Sequence, residues 1–200
     1  MILYNSSISG NCYKVRLLLA RLGVDYETRE VEVVDRTAPR DELAELNPTR
    51  RVPTVVLDDG RPLAESNAIL WYFGDGTPWV PDDSYERAQV LQWLFFEQYE
   101  HEPAIAVARF LVSYSQLPRE QYERRLPRLE ADGAKALAAM ERHLATREWL
   151  VGESPTIADI SLYAYTHAAD EGGFDLQPYP AVLAWLARFA ALPGHVPLAA

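Results

Sequence analysis

The first 80 residues alternate short β-rich runs with helical ones, whereas from Tyr85 onward the pattern is almost wholly helical. A chain divided in this way cannot be one layered α/β sheet or one bundle, so it is read as an α/β unit followed by a helical one. Residues 1–4 form a short apolar run and residues 26–34 (YETREVEVV) alternate with period two around Val31 and Val33, so both read as strands. Between them residues 12–22 carry helical apolar spacing, closed by Gly23 at the C′ position. Parallel strands joined through a helix require a right-handed crossover. Residues 41–46 read as a short helix and 54–57 as a third strand. Asp58-Asp59-Gly60 turns into a fourth strand at 61–64, and 66–73 closes the unit as a helix with Ser66 expected at its N-cap. The order is βαβαββα, an α+β unit with a mixed four-stranded sheet.

Residues 74–84 (GDGTPWVPDDS) hold two Gly and two Pro and read as a linker, which sets the expected domains at 1–79 and 80–200. In the helical part, a long helix from Tyr85 to about Tyr114 is expected to kink near Glu102, because Pro103 cannot donate within it. A second helical region at 119–146 is expected to break at Pro127. Thr156-Ile157-Ala158-Asp159 is a capping box before an apolar run, and a last helix is expected at 181–190.

Composition narrows the function. Lys and Arg total 19 against 29 Asp and Glu, a net charge of −10, which argues against a nucleic-acid binder or a polybasic membrane anchor. No run approaches a membrane span or a secretory signal, and the single cysteine, Cys12, excludes a disulfide framework. The expected setting is cytoplasmic. His101, His143, His167 and His195 lack ligand spacing, so no metal is expected. Lys14 and Lys135 are the only lysines, a skew read as genome composition.

Three short motifs carry chemistry. Ser9-Gly10-Asn11-Cys12 lies at the start of the first helix, where unpaired N–H groups favour an anion or a thiolate. In Arg51-Val52-Pro53-Thr54 the proline opens a strand, and a cis bond there would turn the Val52 backbone groups toward an extended peptide ligand. Glu65-Ser66 offers a carboxylate, a hydroxyl and N–H groups at the next helix start.

With SGNCYKVRLLLARLG (9–23), LNPTRRVPTVVLDDG (46–60), LAESNAILWY (63–72) and PTIADISLYAY (155–165) in this order, the chain resembles the cytosolic glutathione S-transferases over essentially its full length, as a bacterial serine-type, theta- or nu-like member. The resemblance implies a thioredoxin-like domain, a helical C-terminal domain and glutathione as co-substrate. It implies a cis-Pro53, pairing of Val52 with the cysteinyl backbone of glutathione, and Glu65-Ser66 on the γ-glutamyl end, with Arg51 against the tripeptide. Arg50 departs from the family, which commonly has Gly there. Ser9 is the first candidate to hydrogen-bond the glutathione sulfur, Asn11 the second and Cys12 the third.

The expected reaction is conjugation of the thiolate to a small hydrophobic electrophile, with detoxification as its use. The alternatives are disulfide or peroxide reduction, favoured if Asn11 contacts sulfur, and a non-catalytic glutathione-binding or scaffolding member. Phe96, Tyr99, Arg109 and Tyr114 are the candidate electrophile pocket, beside Trp93 and Glu100. A homodimer is expected, with the Trp71-Tyr72 region and the first C-terminal helix at its interface.

Overall fold

The computed structural model describes residues 1–35 and 41–198. The chain divides into two compact units, Met1–Thr77 together with the tail from Pro193 onward, and Pro78–Leu192.

In the first unit the strands are β1 (Ile2–Asn5), β2 (Glu27–Glu30), β3 (Thr54–Val56) and β4 (Pro62–Ala64), and the helices are α1 (Gly10–Leu22), α2 (Asp41–Ala44) and α3 (Ser66–Gly74). The sheet order is β2-β1-β3-β4, with β1 parallel to β2 and antiparallel to β3, and β3 antiparallel to β4. Strand alternation sends Leu3 and Val55 to one face, where they pack with Val15 and Leu19 of α1 and Ile69 of α3. Tyr4 faces the other way, with Val31 and with Leu43 of α2. β2 is shorter than its alternation suggests. β1 has only four residues to pair with it, and the Val31 N–H makes a last bond to the Asn5 carbonyl at 2.8 Å.

Gly23 ends α1 in the left-handed region, φ 65°, as its C′ position requires. The tail is tied to the same helix, the Tyr13 hydroxyl donating to the Val196 carbonyl at 2.7 Å and Arg21 to that of Pro193 at 2.8 Å.

The second unit contains α4 (Ser84–Phe96), a π-helical turn (Glu97–His101), α5 (Glu102–Ser113), α6 (Leu126–Leu144), α7 (Ile157–Thr166) and α8 (Pro180–Ala190). The expected kink before Pro103 is this π turn: the Glu102 N–H reaches back five residues to the Glu97 carbonyl. Pro127 does not break a helix as the sequence suggested. It stands in the first turn of α6, where a missing N–H costs nothing, and two short 3-10 turns precede it.

The capping box forms at Thr156–Asp159. Asp159 is fully buried and accepts from the Thr156 N–H at 2.8 Å, the Thr156 hydroxyl at 3.2 Å, the Leu150 N–H at 3.1 Å and the Trp185 indole at 2.9 Å. It joins α7, α8 and the loop before them.

Gly172 lies so close to α5 that a Cβ would fall 2.8 Å from the Arg109 backbone nitrogen. Because that neighbour is backbone and cannot swing aside, Gly172→Ala is expected to lower stability by about 1–3 kcal/mol, read from the urea midpoint of the helical unit.

Candidate ligand site at the heads of α1 and α3

Ser9 is the N-cap of α1, extended at φ −81°, ψ 118°, and its Oγ accepts from the Cys12 N–H at 3.3 Å. In that role the oxygen is the acceptor, so the hydroxyl proton remains available for donation. An open cavity of about 370 Å³ adjoins this loop, lined by Ser6, Ser7, Ile8 and residues 30–34. Glu30 closes one side of it, bonded to the Asn5 amide and to the Ser7 N–H.

Cys12 is not a nucleophile here. It is fully buried, its Sγ accepts from the Ser6 N–H at 3.3 Å, and burial pushes its thiol up to about 11 against the opposing pull of Ser9, Ser6 and Arg16. At neutral pH it is a packed, protonated thiol.

The second candidate, Asn11, is engaged through its oxygen. Oδ1 accepts from Lys14 Nζ at 2.8 Å and from the Ser66 hydroxyl at 3.2 Å, and Lys14 also reaches Ser66 Oγ at 3.4 Å. Lys14 is 0% exposed. The sequence reading passed over it as one member of a composition skew. The available signal was a lone ammonium three residues after Asn11 on a helix that buries nine of its residues.

Ser66 is not an N-cap, contrary to expectation. It is the first residue of α3, and Glu65 stands before it at φ 68°, ψ 113° without a side-chain cap bond. A glutamate in that region of backbone space is strained by about 1–3 kcal/mol, which is characteristic of ligand sites.

The loop before β3 is built by Asn47, a second residue the sequence reading missed. Asn47 is 3% exposed; its amide donates to the Arg51 carbonyl at 3.0 Å and to Thr54 Oγ1 at 3.1 Å, and its Oδ1 accepts from the Thr49 N–H. Arg50 has φ 52°, in the left-handed region that favours glycine, so the departure noted in the sequence falls at a position with a preference for Gly. Arg51 is exposed, and the Val52-Pro53 bond is cis. Among the described residues no backbone hydrogen bond engages the Val52 N–H or carbonyl. An extended ligand therefore finds a donor and an acceptor side by side there.

In the helical unit Phe96 packs edge-on against Trp93, at 5.1 Å between centroids, and Tyr99 is 83% exposed. Arg109 is buried and donates to Glu171 at 2.8 Å and to the Tyr114 hydroxyl at 2.8 Å, while that hydroxyl donates to Glu171 at 3.0 Å. The polar ends of Arg109 and Tyr114 thus hold α5 to the 3-10 turn at Ala169–Gly172. His101 and His143 make buried or half-buried bonds to Thr166 and to the Leu150 carbonyl. Among the described residues no group of three His, Cys, Asp or Glu could hold a metal, and no helix is long and apolar enough to cross a membrane.

Comparison with known proteins gives matches over both units. The glutathione S-transferase N-terminal domain family matches residues 8–75, and the corresponding C-terminal domain family matches residues 119–188. A glutathione S-transferase structure from Pseudomonas fluorescens superposes with a TM-score of 0.93 at 48% identity, covering 98% of each chain. A glutathione transferase from Burkholderia graminis, crystallised with two glutathione molecules per subunit, superposes with a TM-score of 0.80 at 29% identity, over 96% of this chain and 84% of that one. The disulfide-bond oxidoreductase YfcG of Escherichia coli is 27% identical over 190 residues, 92% of this chain and 87% of its own length.

Proposed function

This chain belongs to the glutathione S-transferase family, and from that premise we propose that it binds glutathione along the heads of α1 and α3 and the start of β3, and delivers its sulfur as thiolate to a small hydrophobic electrophile. The observation that carries the reading is the Val52 backbone before cis-Pro53, which makes no backbone hydrogen bond among the described residues, in the same unit as the Ser66–Asn11 bond that links the heads of α3 and α1. Val52 pairs with the cysteinyl backbone, Glu65 and Ser66 hold the γ-glutamyl end, and Arg51 lies against the tripeptide. Ser9 donates its hydroxyl proton to the sulfur at a helix N-terminus, where the peptide dipoles add to the preference for negative charge. No covalent enzyme intermediate is required, because the nucleophile is the ligand's own sulfur.

A second reading is glutathione-dependent disulfide reduction with Asn11 as the sulfur contact. It is favoured by the engagement of Asn11 Oδ1 with Lys14 and Ser66, which leaves the amide NH2 as its donor end, and by the likeness to a disulfide-bond oxidoreductase. Assaying conjugation of a nitroaromatic halide beside reduction of a small mixed disulfide decides between the two. Conjugation as the faster reaction supports the first, and reduction alone overturns it.

We further propose a cytoplasmic homodimer. Leu91, Phe95 and Tyr99 form an exposed stripe at helical spacing along α4 and the π turn, at 37%, 69% and 83%, and Tyr72 of α3 is 49% exposed. Large exposed apolar residues in a row mark interaction surfaces. Light scattering on the purified protein is expected to give twice the mass of one chain. A monomer at micromolar concentration would contradict it.

A further inference from the structure

Lys14 stands in α1 with its ammonium out of water, 0% exposed, in a helix whose neighbouring side chains Cys12, Tyr13, Val15 and Arg16 are also buried. A buried cation persists only where acceptors hold it. Two of its acceptors are Asn11 Oδ1 at 2.8 Å and Ser66 Oγ at 3.4 Å, and the Ser66 hydroxyl donates in turn to Asn11 Oδ1 at 3.2 Å. The three side chains close a triangle between the heads of α1 and α3.

The chemistry of that triangle has a direction. An ammonium has donors and no acceptor, so the Asn11 amide must turn its oxygen toward Lys14. The flipped amide would set NH2 against NH3+, which fixes the orientation without any other contact. Ser66 is treated the same way: its oxygen accepts from Lys14, so its proton must be donated. In the structure that proton goes to Asn11. When a carboxylate arrives at the head of α3 the proton can turn to it, because Lys14 still satisfies Asn11.

We propose that Lys14 is a positioning residue that couples the two ends of the glutathione site. It holds the Asn11 NH2 toward the sulfur and the Ser66 hydroxyl ready for the γ-glutamyl carboxylate. This rests on the glutathione reading given above. The cation also adds positive potential under the sulfur, beside the N-terminus of α1. Among the other charged groups of this unit, Arg16 and Glu30 both act on Cys12, and Glu65 stands directly before α3.

Two variants of the full chain separate charge from hydrogen bonding. Lys14→Met removes both, whereas Lys14→Gln keeps an N–H donor for Asn11 and loses the charge. Calorimetry with glutathione and with S-methylglutathione reads affinity, and the ultraviolet thiolate band reads ionisation of the bound sulfur at neutral pH. Lys14→Met is expected to bind glutathione at least about tenfold more weakly, with a smaller thiolate fraction. Lys14→Gln is expected to recover affinity for S-methylglutathione without recovering the thiolate band.

A measurement on the unaltered chain covers the event that neither variant folds. Lys14 and Lys135 are the only lysines, and the Lys135 side chain is 76% exposed, so ¹⁵N-lysine labelling gives one slowly exchanging ammonium signal. Glutathione is expected to shift it, and a signal unmoved in a chain that binds glutathione overturns the proposal. Folded Lys14→Met with natural affinity and thiolate fraction also overturns it, while leaving the glutathione reading intact. A natural chain with no heat of binding and no thiolate band takes both down.

Discussion

Ser9→Ala is expected to lower kcat/KM for conjugation by about 10- to 100-fold while glutathione affinity changes little. An unperturbed thiol near pKa 8.5 is only about 3% ionised at pH 7, and lowering it two units takes roughly 2.7 kcal/mol of preferential stabilisation of the thiolate. One hydrogen bond to a charged acceptor contributes about 1.5–3 kcal/mol, most of that requirement. Its loss therefore moves the pH midpoint of kcat/KM upward by one to two units, so the variant regains activity in alkali.

Ser9 is also the N-cap of α1. The alanine variant should lose about 1 kcal/mol of stability, whereas Ser9→Gly loses only a few tenths. The two variants should nevertheless be slowed equally, because both lack the hydroxyl. Full activity in Ser9→Ala, with loss in Asn11→Ala, would transfer the role to Asn11 and favour the reductase reading.

The largest effect on stability is expected at Asp159. Its carboxylate accepts from two backbone N–H groups, a hydroxyl and an indole, all buried. Asp159→Ala strands these donors away from water at about 1–3 kcal/mol each, so a loss of roughly 3–5 kcal/mol is expected in urea unfolding. Burial also pushes the carboxyl up to about 6 from its ordinary 3.8. The folded chain then holds this proton more tightly than the unfolded one, so the contribution of protonation is complete below pH 3.8 and is lost as pH rises through about 6. The stability gap between the natural protein and the alanine variant is accordingly expected to be wider at pH 5 than at pH 8. A gap that widens toward alkali would contradict this sign.

Much of this was legible in the sequence because it is local. The C′ glycine at position 23 and the capping box at Thr156 are each defined by neighbours within four residues. The family resemblance supplied the order of the motifs that local reading could not join. What escaped was set by distance along the chain or by backbone choices outside the usual menu. Lys14 meets Ser66 across 52 residues, and no periodicity announces it. Asn47 holds a loop through side-chain bonds to its own backbone, a role that composition shares with every asparagine near a turn.

Ser66 was misplaced by one position because Glu65 adopts a positive φ that a capping rule does not anticipate. Pro127 was read as a break because a proline inside a helical pattern and a proline at its start look alike until the first turn is located. The shortness of β2 was dictated by its partner rather than by its own alternation.

The central claim is that the heads of α1 and α3 and the start of β3 form one glutathione site, and a ¹⁵N backbone titration of the ligand-free protein with glutathione tests it most directly. Saturable shifts are expected at Ser9, Asn11, Val52, Glu65 and Ser66 at or below millimolar ligand. No shift in those residues at millimolar glutathione, or shifts confined to the helical unit, would contradict it.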